Sequence, residues 1–235
     1  MLEMYKLRDY FEGTGAGYAN YEQQSRTLVA TFKRLMVNLS AHRLTGGALL
    51  EVGCGFGYLL EAAKGYFEAR VGAEFSSIAA EQASYRADRV YCGGPEQIPD
   101  RETFDCIIAT HVIEHVYQPL KFLRDLCRHL RPSGKMVIAA PDMGSWWRRM
   151  MGHHWPSFKI PEHVLYFDRR SLKALVRQAG LVDVGILAYP HAFPLSLVAS
   201  KFGLTMPESL GRLPMWLPAT TVAVYGTFPG LEGER

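Results

Sequence analysis

Cysteine is scarce in this chain, and the four present, Cys54, Cys92, Cys106 and Cys127, form neither a C-x-x-C pair nor metal-finger spacing. That excludes a disulfide framework and a zinc finger; reduced thiols in a cytoplasmic protein are the expectation. Excess charge is also small. The formal net charge is +3, and the doublets Arg148-Arg149 and Arg169-Arg170 stand isolated among dispersed Lys and Arg, so no nucleic-acid partner is expected. No uninterrupted apolar run approaches about 18 residues, which argues against a spanning helix and against integral membrane association. Glu3, Lys6, Arg8 and Asp9 break up the N-terminal segment, so a signal peptide is not expected either.

What is present suffices for a real core. A chain of 235 residues, 48% hydrophobic and 21% charged, is expected to form one domain with some decoration. The stretch Leu49-Leu50-Glu51-Val52-Gly53-Cys54-Gly55-Phe56-Gly57-Tyr58-Leu59-Leu60 organises the rest. An apolar run ends at an acid, glycines follow at alternate positions, and an apolar helical pattern then begins: strand, tight turn, helix start. Glycines allow φ > 0 where the chain reverses and let backbone N–H groups approach a ligand. A dinucleotide fingerprint would put its third glycine where Tyr58 stands and needs no preceding acid, so an NAD-linked oxidoreductase fails on spacing. The carboxylate of Glu51 suits a cofactor that carries an ammonium group where a dinucleotide carries pyrophosphate. S-adenosylmethionine is such a cofactor.

Around this stretch the chain reads as alternating strands and helices. Residues 1–44 are taken as an N-terminal flap and helix: Tyr5, Tyr10, Phe11, Tyr18 and Tyr21 surround Gly13-Thr14-Gly15-Ala16-Gly17, and Leu28, Phe32, Leu35, Met36 and Leu39 then recur at helical spacing. The tyrosines either pack on the domain or close over a cofactor, where a ring face would stabilise a sulfonium cation by about 0.5–2 kcal/mol. Residues 45–235 form the main domain. Strands are expected at Ala48–Val52, Ala69–Ala73, Arg89–Cys92, Thr103–Thr110, Lys135–Ala140 and Leu181–Ala188, with helices between them, which gives a parallel α/β sheet. Thr220–Thr227 is a last strand. Two insertions interrupt the pattern. Residues 142–165, rich in Trp and His, and the proline-punctuated residues 190–218 are expected to cover the carboxyl ends of the strands, where ligands bind in such sheets.

Glu74 ends the second strand, the place from which a carboxylate accepts both ribose hydroxyls of a nucleoside held at the first turn; a surface glutamate is the alternative. Together with Glu51 and the glycines, the segments Glu114-His115-Val116-Tyr117-Gln118-Pro119 and Leu130-Arg131-Pro132-Ser133-Gly134 make residues 49–141 resemble the class I S-adenosylmethionine-dependent methyltransferases. The likeness is to the subgroup that includes ubiquinone-biosynthesis O-methyltransferases and secondary-metabolite methyltransferases. The resemblance implies a Rossmann-like, doubly wound, seven-stranded sheet with its last strand antiparallel. It implies cofactor contacts at Glu51, Gly53, Cys54, Gly55, Gly57, Tyr58, Glu74, Phe75, Ser76, Gly94, Pro95, Thr110 and His111. Phe75 would lie along the adenine. Gly94 stands where the family usually has an acid for the adenine amino group, which leaves that contact to the backbone of Gly94 and Pro95 or to Glu96.

The implied activity is methyl transfer to a small organic acceptor, most simply a hydroxyl of an aromatic or hydrophobic metabolite. Transfer to nitrogen or carbon is an alternative, as is a non-catalytic cofactor-binding subunit. A hydroxyl needs a base. His111, directly after the fourth strand, is the first candidate, with a strand-capping role as its alternative; His163 in the Pro161-Glu162-His163 element is the second. His115 is the third, explained equally by fold-stabilising hydrogen bonds, and His153 and His154 rank lower. His111-x-x-Glu114-His115 also spells an inverted zinc-protease motif, but that needs a long helix, and here a buried strand precedes and Pro119 follows; no metal is expected, with a divalent ion in this neighbourhood, as the resemblance to ubiquinone-type enzymes allows, as the alternative. A homodimer is allowed by the sequence and not required by it.

Overall fold

The computed structural model describes residues 25–200, 205–211 and 213–230. The tyrosine and glycine segment of the expected flap lies outside the described residues. The helix that follows, α1 (Ser25–Ala41), buries Leu28, Phe32, Leu35, Met36 and Leu39 as the spacing predicts. Next come β1 (Ala48–Val52), α2 (Tyr58–Ala62), β2 (Ala69–Glu74), α3 (Ser77–Ser84) and β3 (Arg89–Cys92). They are followed by β4 (Phe104–Thr110), α4 (Pro119–Cys127), β5 (Leu130–Pro141), α5 (Trp146–Met151), α6 (Arg169–Gln178) and β6 (Val182–Leu187). The chain then forms β7 (His191–Pro194), α7 (Leu195–Ser200), α8 (Glu208–Gly211), β8 (Pro214–Leu217) and β9 (Thr221–Thr227).

Seven strands form one sheet in the order β3-β2-β1-β4-β5-β9-β6. The first five pair in parallel, and β9 runs antiparallel to both β5 and β6. The expected doubly wound sheet with an antiparallel last strand is therefore present, and that strand lies between β5 and β6. Alternation along the central strands divides the core in two. Leu50, Ile107, Met136 and Ile138 join Leu123 and Leu126 of α4 and Leu172 and Val176 of α6 on one side. Leu49, Ile108, Val137 and Ala139 join α1 and α2 on the other. Both faces are covered, and for that reason β4 and β5 read as continuous apolar runs.

β5 is longer than expected because Leu130 already pairs with Phe104, before a register shift takes the ladder to Lys135 opposite Cys106. The Arg131–Gly134 turn sits inside that irregularity. A Cβ at Gly134 would come within 2.8 Å of the Arg131 carbonyl, so the close backbone approach requires glycine. The first insertion holds α5, capped where Ser145 Oγ accepts from the Arg148 amide at 3.2 Å. The second contains the two-stranded β7–β8 sheet, tied to α1 where Thr31 Oγ1 accepts from the Ala192 amide at 2.9 Å. Among the described residues no helix is long and apolar enough to cross a membrane.

Candidate active site

The carboxyl ends of β1, β2 and β4 build the site. Between β1 and α2 the chain turns with φ of 72°, 51° and 79° at Gly53, Gly55 and Gly57, a left-handed conformation that L side chains resist. The glycines do not, however, leave a row of free donors. The amides of Gly53 and Cys54 donate to the Ala73 carbonyl, that of Gly57 donates to the Cys54 carbonyl, and that of Gly55 donates to Glu74 Oε2 at 2.9 Å. Their contribution is shape and space, a correction to the expected ligand-facing N–H groups. Gly72 on β2, unnoticed in the sequence, makes room beneath the turn: a Cβ there would meet Cys54 Sγ at 2.7 Å.

Glu74 is buried, accepts from the Gly55 amide and, through Oε1 at 3.0 Å, from the Ser76 amide, and so joins the glycine turn to the start of α3. Ser76 in turn caps α3 by accepting from the Ala79 amide at 3.3 Å. Burial raises the Glu74 carboxyl above its ordinary value, although the Ser76 and Gly55 amides pull the other way. Glu51 is more exceptional. It is 2% exposed, and its Oε2 has no hydrogen-bond partner among the described residues. Desolvation first and the nearby Glu74 second push its carboxyl well above the usual range, against a backbone hydrogen bond from Leu60. Two buried acids face a common turn with a proton acceptor to spare.

The other residues expected to contact the cofactor lie as follows. Phe75 is half-buried beside Gly94, where an added Cβ would lie 2.7 Å from its ring. Glu96 folds back so that its Oε1 accepts from the Gly94 amide at 3.1 Å, and Pro95 opens a short 3₁₀ turn. A carboxylate thus reaches the neighbourhood of the missing family acid from two positions later. Thr110 ends β4, buried. Cys54 is buried too, its thiol pushed well up by burial and by both acids, so it is inert packing at this turn. Tyr58 is buried in the α1 and α2 side of the core with Arg86 5.0 Å over its ring.

Beyond β4 the backbone bends sharply at His111, a non-glycine residue with φ 56°, while its amide still donates to the Ala139 carbonyl at 2.8 Å. Val112 packs over the glycine turn, where a Cβ on Gly53 would lie 2.5 Å from its Cγ2. Residues Ile113–His115 form a single 3₁₀ turn, so the helix required by the inverted zinc-protease motif is not made. His111 Nδ1 lies 3.3 Å from Glu114 Oε1. Burial opposes ionisation of Glu114, yet the imidazole and charge of His111, with His115, outweigh it and hold the carboxyl below its ordinary value. The rings of Tyr189 and His191, neither of them foreseen, stand 6.1 and 6.0 Å from His111. Desolvation, with His111 nearby, pushes His191 down to about 3.

The first insertion is pinned to this turn. The amides of Val164 and Leu165 both donate to the Glu114 carbonyl, and His115 Nδ1 donates to the Glu162 carbonyl at 2.9 Å. His163 is buried with its ring 4.7 Å from that of His115. Desolvation above all pushes it down to about 4, a poor base for an alcohol or phenol. Glu114, His115 and His163 bring one donor atom each within 4.8 Å of one another, so the grouping takes in His163 where the sequence had suggested His111 beside Glu114 and His115. His153 and His154 are exposed on the 3₁₀ turn after α5.

A family model described as a methyltransferase domain matches residues 21–185, more than half of the chain. The chain belongs to the class I S-adenosylmethionine-dependent methyltransferases. This methyltransferase is 28% identical over 169 residues to a ubiquinone biosynthesis O-methyltransferase of Rhodopseudomonas palustris, covering 61% of the chain and 64% of that relative. One from Bradyrhizobium diazoefficiens is 26% identical over 164 residues, with the same coverage. The match thus spans 64% of the length of these relatives. Among solved structures, a methyltransferase from Thermotoga maritima covers 88% of the chain and 93% of its own at TM-score 0.63 and 21% identity. Magnesium protoporphyrin IX methyltransferase from Synechocystis PCC 6803, with bound S-adenosylhomocysteine, covers 94% and 97% at TM-score 0.59 and 13% identity. Those two show the shared fold.

The methyltransferase's own residues fit S-adenosylmethionine. A buried carboxylate oxygen on Glu51, without a partner among the described residues, and the left-handed glycine cradle supply an acceptor and room, and the former is a destabilising feature without a cationic ligand.

Proposed function

We propose that this methyltransferase acts at oxygen, on a hydroxyl of a small aromatic or otherwise hydrophobic acceptor. One observation carries the reading: a histidine held by left-handed backbone at the end of β4, backed by a buried carboxylate and walled by Tyr189 and His191. Bound S-adenosylmethionine would supply a methyl carbon whose bond to sulfur breaks as the acceptor oxygen bonds to it, leaving a thioether. Glu51 and Glu74 would hold and orient that cofactor, and Phe75 and Glu96 would serve its adenine. His111 removes the hydroxyl proton. The pinned insertion, with Trp155 buried in it, excludes water from the acceptor side.

Support also comes from the names of the curated relatives, which are O-methyltransferases. The test is incubation with methyl-labelled S-adenosylmethionine and a panel of phenols, alcohols and amines. Label transfer to hydroxyl compounds with formation of S-adenosylhomocysteine is expected; turnover only of amines, or binding without turnover, would overturn the reading. We further propose that no metal takes part. EDTA is then expected to leave turnover intact, and loss restored by Zn²⁺ or Mg²⁺ would assign a metal to Glu114, His115 and His163 instead.

A further inference from the structure

We infer that Glu114 is a positioning residue for the reaction: it fixes the His111 imidazole with its proton on Nδ1 and its lone pair on Nε2, so that Nε2 is the base. The inference rests on the proposed O-methylation and adds a second residue to it.

Four observations converge on Glu114. Its carboxylate is 1% exposed and sits 3.3 Å from His111 Nδ1, three residues along the chain. Neither carboxylate oxygen has an aligned hydrogen-bond partner among the described residues, and His111 is the side chain that most favours its charged form. Its backbone is immobilised, since the Glu114 carbonyl takes two amides from the insertion. His111 Nε2 is also buried without a partner among the described residues, on a ring flanked edge-on by Tyr189 and His191.

Buried unpaired polar atoms are rare in folded proteins and need a reason. An acceptor hydroxyl donating to Nε2 would satisfy one of them, and an Nδ1–H aimed at Glu114 the other. When the acceptor oxygen bonds the methyl carbon, its proton passes to Nε2. The resulting imidazolium then carries its positive charge against the buried carboxylate, which strengthens the contact as the reaction proceeds. In serine proteases a carboxylate holds the histidine tautomer in the same way, and its amide replacement costs about 10⁴-fold in turnover by favouring the wrong tautomer. Here the acid and the base share one turn, and the left-handed residue between β4 and that turn accompanies a separation of 3.3 Å between His111 Nδ1 and Glu114 Oε1.

The experiment combines a spectroscopic and a kinetic readout. Imidazole ¹⁵N NMR of the parent protein, assigned by comparison with His111→Ala, is expected to show the neutral ring of His111 protonated at Nδ1. The Nε2-protonated form would overturn the inference without recourse to a Glu114 variant. Glu114→Gln is expected to move the proton to Nε2 and lower kcat about 100-fold, a discount from the protease value for partial exposure of the ring. Affinity for S-adenosylmethionine and the KM for the acceptor should stay within about threefold, as for an interaction made in the transition state. His111→Ala with Glu114→Gln should be no slower than His111→Ala alone. Full activity of His111→Ala would sink the proposed base itself. Impaired His111→Ala with fully active Glu114→Gln would sink only the pairing, as would a Glu114→Gln defect that EDTA reproduces in the parent protein.

Discussion

The two halves of the site are built by different means. The half proposed to hold the cofactor is tied together through backbone amides: four amides of the glycine turn are paired within the protein, one of them with Glu74, which reaches on to the start of α3 through one more hydrogen bond, from the Ser76 amide. The proposed acceptor half is assembled from side chains: His111 and Glu114 share one turn, Tyr189 and His191 come from a second place in the sequence, and the insertion over them hangs on hydrogen bonds to Glu114 and His115. The difference teaches what each half must do. A single cofactor allows a rigid cradle in which binding geometry is set before the ligand arrives, whereas acceptor recognition is left to groups that substitution can change without disturbing the sheet.

The sharpest way to separate the halves is His111→Ala, which should lower kcat by about 10²–10⁴-fold, the range for general-base removal, with affinity for S-adenosylmethionine unchanged. Single-turnover kinetics and calorimetry check it. Glu74→Ala should do the reverse. It should weaken cofactor affinity by about 10- to 100-fold, and it should lower the melting temperature, because the Gly55 and Ser76 amides lose the buried acceptor that binds them.

Gly53→Ala tests the one place where the halves touch. The new methyl would collide with Val112 and the residue would have to hold φ 72°, so a loss of about 1–3 kcal/mol is expected in chemical denaturation. Turnover should fall with it as the His111 loop is displaced.

Glu51→Gln sets stability against binding. The folded carboxyl of Glu51 is raised, so the native ligand-free chain binds more protons than the unfolded one above the ordinary carboxylate value. Stability of the parent therefore falls as pH rises from there through the raised value. The glutamine variant should flatten that slope and gain about 1–2 kcal/mol at pH 8 without ligand, while binding the cofactor more weakly. Melting curves at pH 5 and pH 8, with and without S-adenosylmethionine, read both; an unchanged slope would remove Glu51 as the strained group. The smallest effect belongs to His115→Ala, which deletes one bond between turn and insertion. A rise of about fivefold in acceptor KM, the worth of about 1 kcal/mol, with little change in cofactor affinity is expected from initial rates.

Much of this was legible in the residues. The alternation of strands and helices, the turn at Gly53-Cys54-Gly55-Phe56-Gly57 and the acid closing β2 are local patterns, and apart from the start of β5 the chain adopts them within a residue or two of their expected bounds. His111 was legible as a residue following a strand. Its partners were not. Nothing local distinguishes Glu114 from a fold-stabilising acid, Tyr189 and His191 lie some eighty residues away in sequence, and Gly72 reads as an ordinary strand glycine until Cys54 is packed against it. The long β5 ladder and the insertion of β9 between β5 and β6 likewise depend on pairing across the sheet.

From the amino-acid order alone came the strands, the left-handed glycine bend, the two acids beside it and the family likeness, because steric limits on φ and the period of apolar residues act over a few positions. Only the tertiary structure decided that the turn's amides are already paired, that Glu51 keeps an unpartnered oxygen, and that Glu114 faces His111 under a pinned insertion. Those outcomes depend on which distant side chains packing brings within hydrogen-bond reach, and no short window of sequence contains that information.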